Sequence, residues 1–380
     1  MRYKPANNYT LHILLFLITL VTTTIAGAEW LYGRSLFGLT ADYKLVQWMS
    51  WQQVQEGLLF SVPFLLVLTC HEFGHYFTAR FYKINVTLPY YIPIWLGFTS
   101  TIGTMGAFIK IRERIFSKKE FFDVGIAGPL AGFVVALPLL FYAFTHLPAP
   151  EYIFKIHPEY QQYGLNYANQ VYQNTVGSFA LGKNLLFLFF ENYVVSDPSL
   201  LPNRYEVIHY PLLFAGYLSL FFTALNLLPI GQLDGGHILY GIIGYRNFNR
   251  FSPVLFLIFI GYAGLGIIRP DTPLAVAQWL YPGYAIYLFL VFQKMVPQVK
   301  YALMLVLGVI AVQLGLAYLI PGVNGYHGWL VFGFILARFL GVFHPPAPNE
   351  QPLSWGRKLL GGLALLVFIL CFSPMPFIIE

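Results

Sequence analysis

Long apolar runs separated by short polar connections dominate the chain. A helix needs about 20 mostly apolar residues to cross a bilayer. Runs of that kind fall near 11–29, 57–81, 121–146, 209–229, 253–268, 275–293, 301–320, 327–343 and 358–377. The pattern predicts an all-α polytopic membrane protein with about eight or nine transmembrane helices. The short pair 253–268 and 275–293 leaves a partly re-entrant arrangement open. One stretch breaks the helical pattern. Residues 84–94, Ile-Asn-Val-Thr-Leu-Pro-Tyr-Tyr-Ile-Pro-Ile, mix β-branched and aromatic side chains with Pro89 and Pro93, and Gly97, Gly103 and Gly106 follow. Segment 84–111 reads as short strands and turns, with an ordinary interfacial loop as the alternative. Segment 147–208 lacks repeated alternation and reads as loop plus interfacial helix. No internal repeat and no soluble domain is evident.

Composition sharpens this reading. Of 380 residues, 57% are hydrophobic and only 10% are charged, against about 25% charged in soluble domains. The 18% aromatic content suits lipid-facing surfaces and interfacial belts. The net charge of +6 is no nucleic-acid footprint, because the basic residues sit in short loops. Lys110, Arg112, Arg114, Lys118 and Lys119 follow the second run. Arg246 and Arg250 follow the fourth, Lys294 and Lys300 the sixth, and Arg357 and Lys358 precede the last. Segment 147–208 instead sets Lys155, Lys183 and Arg204 against five acidic residues. Alternating the spans puts every basic cluster on one side, the cytoplasmic one, together with the N-terminus. Arg2 and Lys4 precede the first run, which no small-residue cleavage site ends, so it reads as a retained helix. The expected location is a bacterial inner membrane. Cys70 and Cys371 lie in apolar runs and read as small buried hydrophobes, without a disulfide framework or a metal pattern.

The first chemical signal is His71-Glu72-Phe73-Gly74-His75 inside the second run. On a helix, positions i and i+4 share a face, so both imidazoles can reach one metal ion. Glu72 beside them can take a proton from water. An ionisable residue mid-membrane costs roughly 2.5–3.5 kcal/mol on insertion scales, so three within five residues need a shared reason. A metal supplies one. Zinc suits imidazole nitrogen, and a tetrahedral site needs a third protein ligand. Asn226-Leu-Leu-Pro229-Ile-Gly-Gln-Leu-Asp234-Gly235-Gly236 offers Asp234, on irregular backbone of the kind tolerated at membrane depth where it is buried or lines a wet cavity. Alternation of the spans puts both signals toward the same membrane side. His237 is a rival ligand or a supporting residue. His12, His146, His157, His209, His327 and His344 fall near predicted membrane ends and read as interfacial. Gly128 and Gly132 read as a close helix-packing pair, and Arg338 as a snorkelling cation.

HExxH in one membrane helix with Asn-x-x-Pro-x-x-x-x-Asp-Gly in a later one resembles the site-2 protease family of intramembrane metalloproteases. Gly125-Ile-Ala-Gly-Pro-Leu-Ala-Gly132 and Gly103-Thr-Met-Gly-Ala-Phe-Ile-Lys110 add to the likeness, which covers roughly 56–245 and, more loosely, the tail with His344-Pro-Pro. The resemblance implies one Zn2+ ion on His71, His75 and Asp234, with Glu72 as general base. It implies that Asn226 holds the substrate backbone or oxyanion, and that 84–111 pairs with substrate near the active site. Neither a PDZ nor a CBS segment is visible, as in compact bacterial and plastid-type members. The implied organisation is a first helix and loop in 1–55, a catalytic membrane core in 56–245 and C-terminal transmembrane helices in 246–380. The implied partners are single-pass membrane proteins in a lipid bilayer, and no nucleic acid; the oligomeric state is open. A non-catalytic zinc-binding scaffold or chaperone is the alternative. A metal transporter would need polar residues along a pathway, and a desaturase would need several histidine boxes.

Overall fold

A computed structural model describes residues 8–35, 49–99, 101–173 and 177–380. Arg2 and Lys4 lie outside the described residues. In chain order the elements are α1 (Tyr9–Tyr32), α2 (Trp51–Glu56), α3 (Leu58–Phe81), β1 (Tyr90–Pro93), β2 (Thr104–Phe108) and α4 (Lys118–Thr145). Short elements follow: α5 (Ile153–Ile156), α6 (Ala168–Val171), β3 (Phe179–Leu181) and α7 (Leu185–Tyr193). Then come α8 (Pro211–Leu227), α9 (Asp234–Ile243), α10 (Tyr245–Ala263), α11 (Leu274–Phe292), α12 (Val299–Leu319), α13 (Gly328–Ile335), α14 (Trp355–Cys371) and β4 (Phe377–Ile379).

Every predicted apolar run holds a helix. Among the described residues, five helices are long and apolar enough to cross a bilayer: Tyr9–Tyr32, Trp51–Phe81, Lys118–Thr145, Leu274–Phe292 and Val299–Leu319. The chain is an integral membrane protein. Pro211–Leu227 and Gly328–Leu340 are shorter apolar helices. The last predicted run, 358–377, needs correcting at its end. Its helix stops at Cys371 because Pro374 and Pro376 lack amide donors, and the chain then turns extended into β4.

The chain falls into two compact units. The first comprises Met1–Ile115, Ala127–Leu225 and Leu366–Glu380. In it, Asn8 caps α1 by accepting from the Leu11 amide at 3.2 Å. The Thr23 and Thr24 hydroxyls of α1 donate to the Thr19 and Leu20 carbonyls four residues back, each at 2.7 Å, which lets an apolar helix carry these two hydroxyls paired. Strands β1 and β2 pair antiparallel, with Tyr90 opposite Phe108 and Tyr91 opposite Ala107 and an irregularity before Pro93–Thr104. The predicted strand segment is therefore a hairpin. Tyr91 packs with Leu65 and Leu68 of α3 and with Leu15, Phe16 and Leu20 of α1. Its hydroxyl meets the Thr69 hydroxyl at 2.8 Å. His12 is buried, with Nδ1 3.0 Å from the Pro89 carbonyl. A second antiparallel pair joins β3 to β4, Ala180 opposite Ile378.

The second unit comprises Phe116–Ile126 and Asn226–Leu365. Here α10 packs on α13 and α11 on α12. Arg357 at the start of α14 grips Asp123 of α4 through two parallel bonds of 2.8 Å. Arg338 sits in a π-turn, Leu336–Leu340, that continues α13.

Candidate metal centre

Helix α3 places His71 and His75 one turn apart, 6% and 7% exposed, with their Nε2 atoms 3.1 Å from each other. Glu72 is 4% exposed, and its Oε1 lies 4.0 Å from His71 Nε2. Two imidazole nitrogens aimed at one point, with a carboxylate beside them, suit a cation. Neighbouring residues of α4 shape the pocket. A Cβ added at Gly128 would stand 2.1 Å from His75 Nε2, so the ring occupies the space that any other residue would fill. At Gly74 the helices approach so closely that a Cβ would lie 2.5 Å from the Ala127 carbonyl oxygen. The glycines of α4 do pack helices, as expected. The sequence did not reveal that at Gly128 the packed object is the candidate ligand itself.

In the second unit, α8 ends just past Asn226, which is half-buried. Pro229 follows in a tight turn, where the Ile230 amide donates to the Leu228 carbonyl at 2.8 Å. The Gly231 amide donates to Ser252 Oγ at 2.9 Å, and that hydroxyl donates to the Val342 carbonyl at 2.7 Å. Asp234 is the first residue of α9, where the free amides favour a negative charge. Gly235 lets α9 fold back on α8, since a Cβ there would lie 1.9 Å from the Leu227 carbonyl oxygen.

His237, one turn into α9, has Nδ1 2.8 Å from His344 Nε2. The other His344 nitrogen faces the Pro345 carbonyl at 2.6 Å and must donate to it. Burial pushes the His344 imidazole down to about 4, so the ring is neutral and its Nε2 accepts. His237 therefore donates from Nδ1, which is not free to bind a metal. This partner for His237 lies 107 residues away, and no local pattern announces it.

Two imidazole nitrogens and a carboxylate oxygen are zinc-binding chemistry. The first unit supplies the two imidazoles, His71 and His75, and the second carries the Asp234 carboxylate at the head of α9. The sequence profile of peptidase family M50 matches residues 59–265, more than half of the chain and inclusive of both motifs. The chain belongs to this family. "Probable zinc metalloprotease EGY1, chloroplastic" of Oryza sativa subsp. japonica is 27% identical over 234 residues, 60% of this chain and 34% of that protein. "Probable zinc metalloprotease EGY2, chloroplastic" of Oryza sativa subsp. indica is 26% identical over 267 residues, 67% of this chain and 43% of that protein. The Arabidopsis thaliana protein of the latter name is 25% identical over 242 residues, 60% of this chain and 38% of its own length. The M50 chain thus matches between a third and a half of the length of these relatives. No solved structure matches it.

Proposed function

We propose that this M50 chain is an intramembrane zinc metalloprotease that hydrolyses peptide bonds of membrane-spanning substrates, single-pass proteins above all. The observation that carries the reading is the His71–His75 pair, buried on a helix long enough to cross a bilayer, with Glu72 between them. Asp234 is the proposed third ligand. The motif order supports it, and so does one helix: α4 meets His75 at Gly128, and Gly125 meets the carbonyl of Asp234 and the Cβ of His237.

A zinc ion held by His71, His75 and Asp234 would supply Lewis acidity, polarising a carbonyl and lowering the pKa of water to about 7. Glu72 then takes the proton of the attacking water and delivers it to the leaving amine nitrogen as the peptide C–N bond breaks. Asn226 holds the substrate backbone or the developing oxyanion. A helical substrate hides its carbonyls in hydrogen bonds to the amides four residues on, so it unwinds first, and its extended backbone pairs with the β1–β2 hairpin.

Residues 56–245 form the catalytic core in this reading, flanked by 1–55 and by helices in 246–380, with eight or nine spans in all. The basic loops support a cytoplasmic N-terminus, and a bacterial inner membrane is the proposed location; the relatives named above are chloroplast proteins. The test compares membrane proteomes of host cells carrying the wild-type chain or Glu72→Gln. A membrane-embedded polypeptide that accumulates only with Glu72→Gln supports proteolysis and reveals the substrate. If none differs while Glu72→Gln still holds zinc, a non-catalytic zinc scaffold is the better reading.

A further inference from the structure

We propose a second metal site, built from His157, Glu206 and His209 in the connection between α4 and α8, that binds a divalent transition metal such as zinc. It goes beyond the protease reading and shares no residue with it. One ligand atom from each of the three side chains lies within 4.8 Å of the others. His157 Nε2 is 3.4 Å from His209 Nε2, which is 3.5 Å from Glu206 Oε2.

The outer bonds fix what these atoms offer. His209 Nδ1 lies 2.8 Å from the Leu31 carbonyl oxygen, and His157 Nδ1 lies 3.0 Å from Glu159 Oε1. Both partners accept only, so each Nδ1 donates outward and each Nε2 is left facing the other members of the group. Glu206 is 1% exposed. The Tyr172 hydroxyl donates to its Oε1, whereas its Oε2 is buried without a hydrogen-bond partner. Two imidazole nitrogens and one carboxylate oxygen thus converge away from water, an arrangement that one cation turns into coordination. A ring N–H held by a carboxylate or a backbone carbonyl is the usual outer support of a metal-binding histidine. Two imidazoles and one carboxylate oxygen suit zinc. The His157 side chain is 23% exposed, which leaves a side open for metal entry and a water ligand. The metal would staple the α4–α8 connection to the end of α1 through Leu31.

The experiment uses the full chain in detergent, stripped with chelator, dialysed against zinc chloride and analysed for bound metal. Wild type is expected to retain two equivalents of zinc, and His157→Ala and Glu206→Gln one each. Zinc should raise the thermal midpoint of the wild type more than that of either variant. His157 is part-exposed, and Glu206→Gln keeps the volume and an acceptor for Tyr172; where one variant fails to fold, the other carries the test. His75→Ala should lose a different equivalent, so failure of the protease reading leaves this count intact. Equal zinc in wild type and both variants, or a single wild-type equivalent that His75→Ala abolishes, would overturn the proposal.

Discussion

His75 can sit where it does only because residue 128 has no side chain, and this sets two effects against each other. Alanine in a helix interior is more favourable than glycine by about 0.8–1.0 kcal/mol, so helix propensity alone makes Gly128→Ala stabilising. A Cβ 2.1 Å from His75 Nε2 forces the ring away, and the steric effect wins at the candidate ligand. Gly128→Ala is expected to lose the zinc equivalent of this site without losing the helix, which metal analysis beside circular dichroism would show. Glu72→Gln should do the opposite, keeping zinc while turnover falls by roughly 10²–10⁴, the usual contribution of a positioned proton carrier. Equal zinc loss in the two variants would argue against the separate roles given to Gly128 and Glu72. The sequence exposed His71, Glu72 and His75 because helical spacing is a local code. It hid the use of His157 and His209, which looked like interfacial residues, because the two rings meet across 52 positions of chain.

The β1–β2 hairpin was legible because β-branched and aromatic residues between prolines and glycines leave a helix no foothold. The β3–β4 pair was not, since three-residue strands carry no usable alternation and Ala180 finds Ile378 only in the folded chain. The hairpin is tied to the metal-bearing helix by the contact between the Thr69 and Tyr91 hydroxyls, two residues before His71. Thr69→Val leaves the Tyr91 hydroxyl buried without this partner, a loss of about 1–3 kcal/mol. Tyr91→Phe removes the hydroxyl that needs the partner and should cost less. Urea or thermal unfolding of the two variants in detergent checks the order. If the hairpin also guides the unwound substrate, Thr69→Val raises KM more than it lowers kcat, with zinc content unchanged.

Across the whole molecule, hydropathy located a helix in every apolar run but not how many of them cross the bilayer, because membrane depth depends on helix length and charge placement together. Helix α10 is 19 residues long but carries Arg246 and Arg250 near its start, and α14 has only 17 residues. Helix α4 is the firmer case. Its 28 residues extend about 42 Å at 1.5 Å per residue, more than the roughly 30 Å of hydrocarbon it must cross. The basic loop before it and the mixed-charge segment after it should therefore face opposite sides. Arg114 and Lys155 are both exposed positions flanking α4, and the only two native cysteines are Cys70 and Cys371. In a Cys70→Ala, Cys371→Ala background, a membrane-impermeant maleimide added to intact cells should label Lys155→Cys alone. Arg114→Cys should react only after the membrane is opened. The reverse pattern would invert the proposed orientation and put the α4–α8 connection, with His157, Glu206 and His209, in the cytoplasm. Labelling of both from outside would mean that α4 does not span, which would overturn the alternation on which the proposed orientation rests.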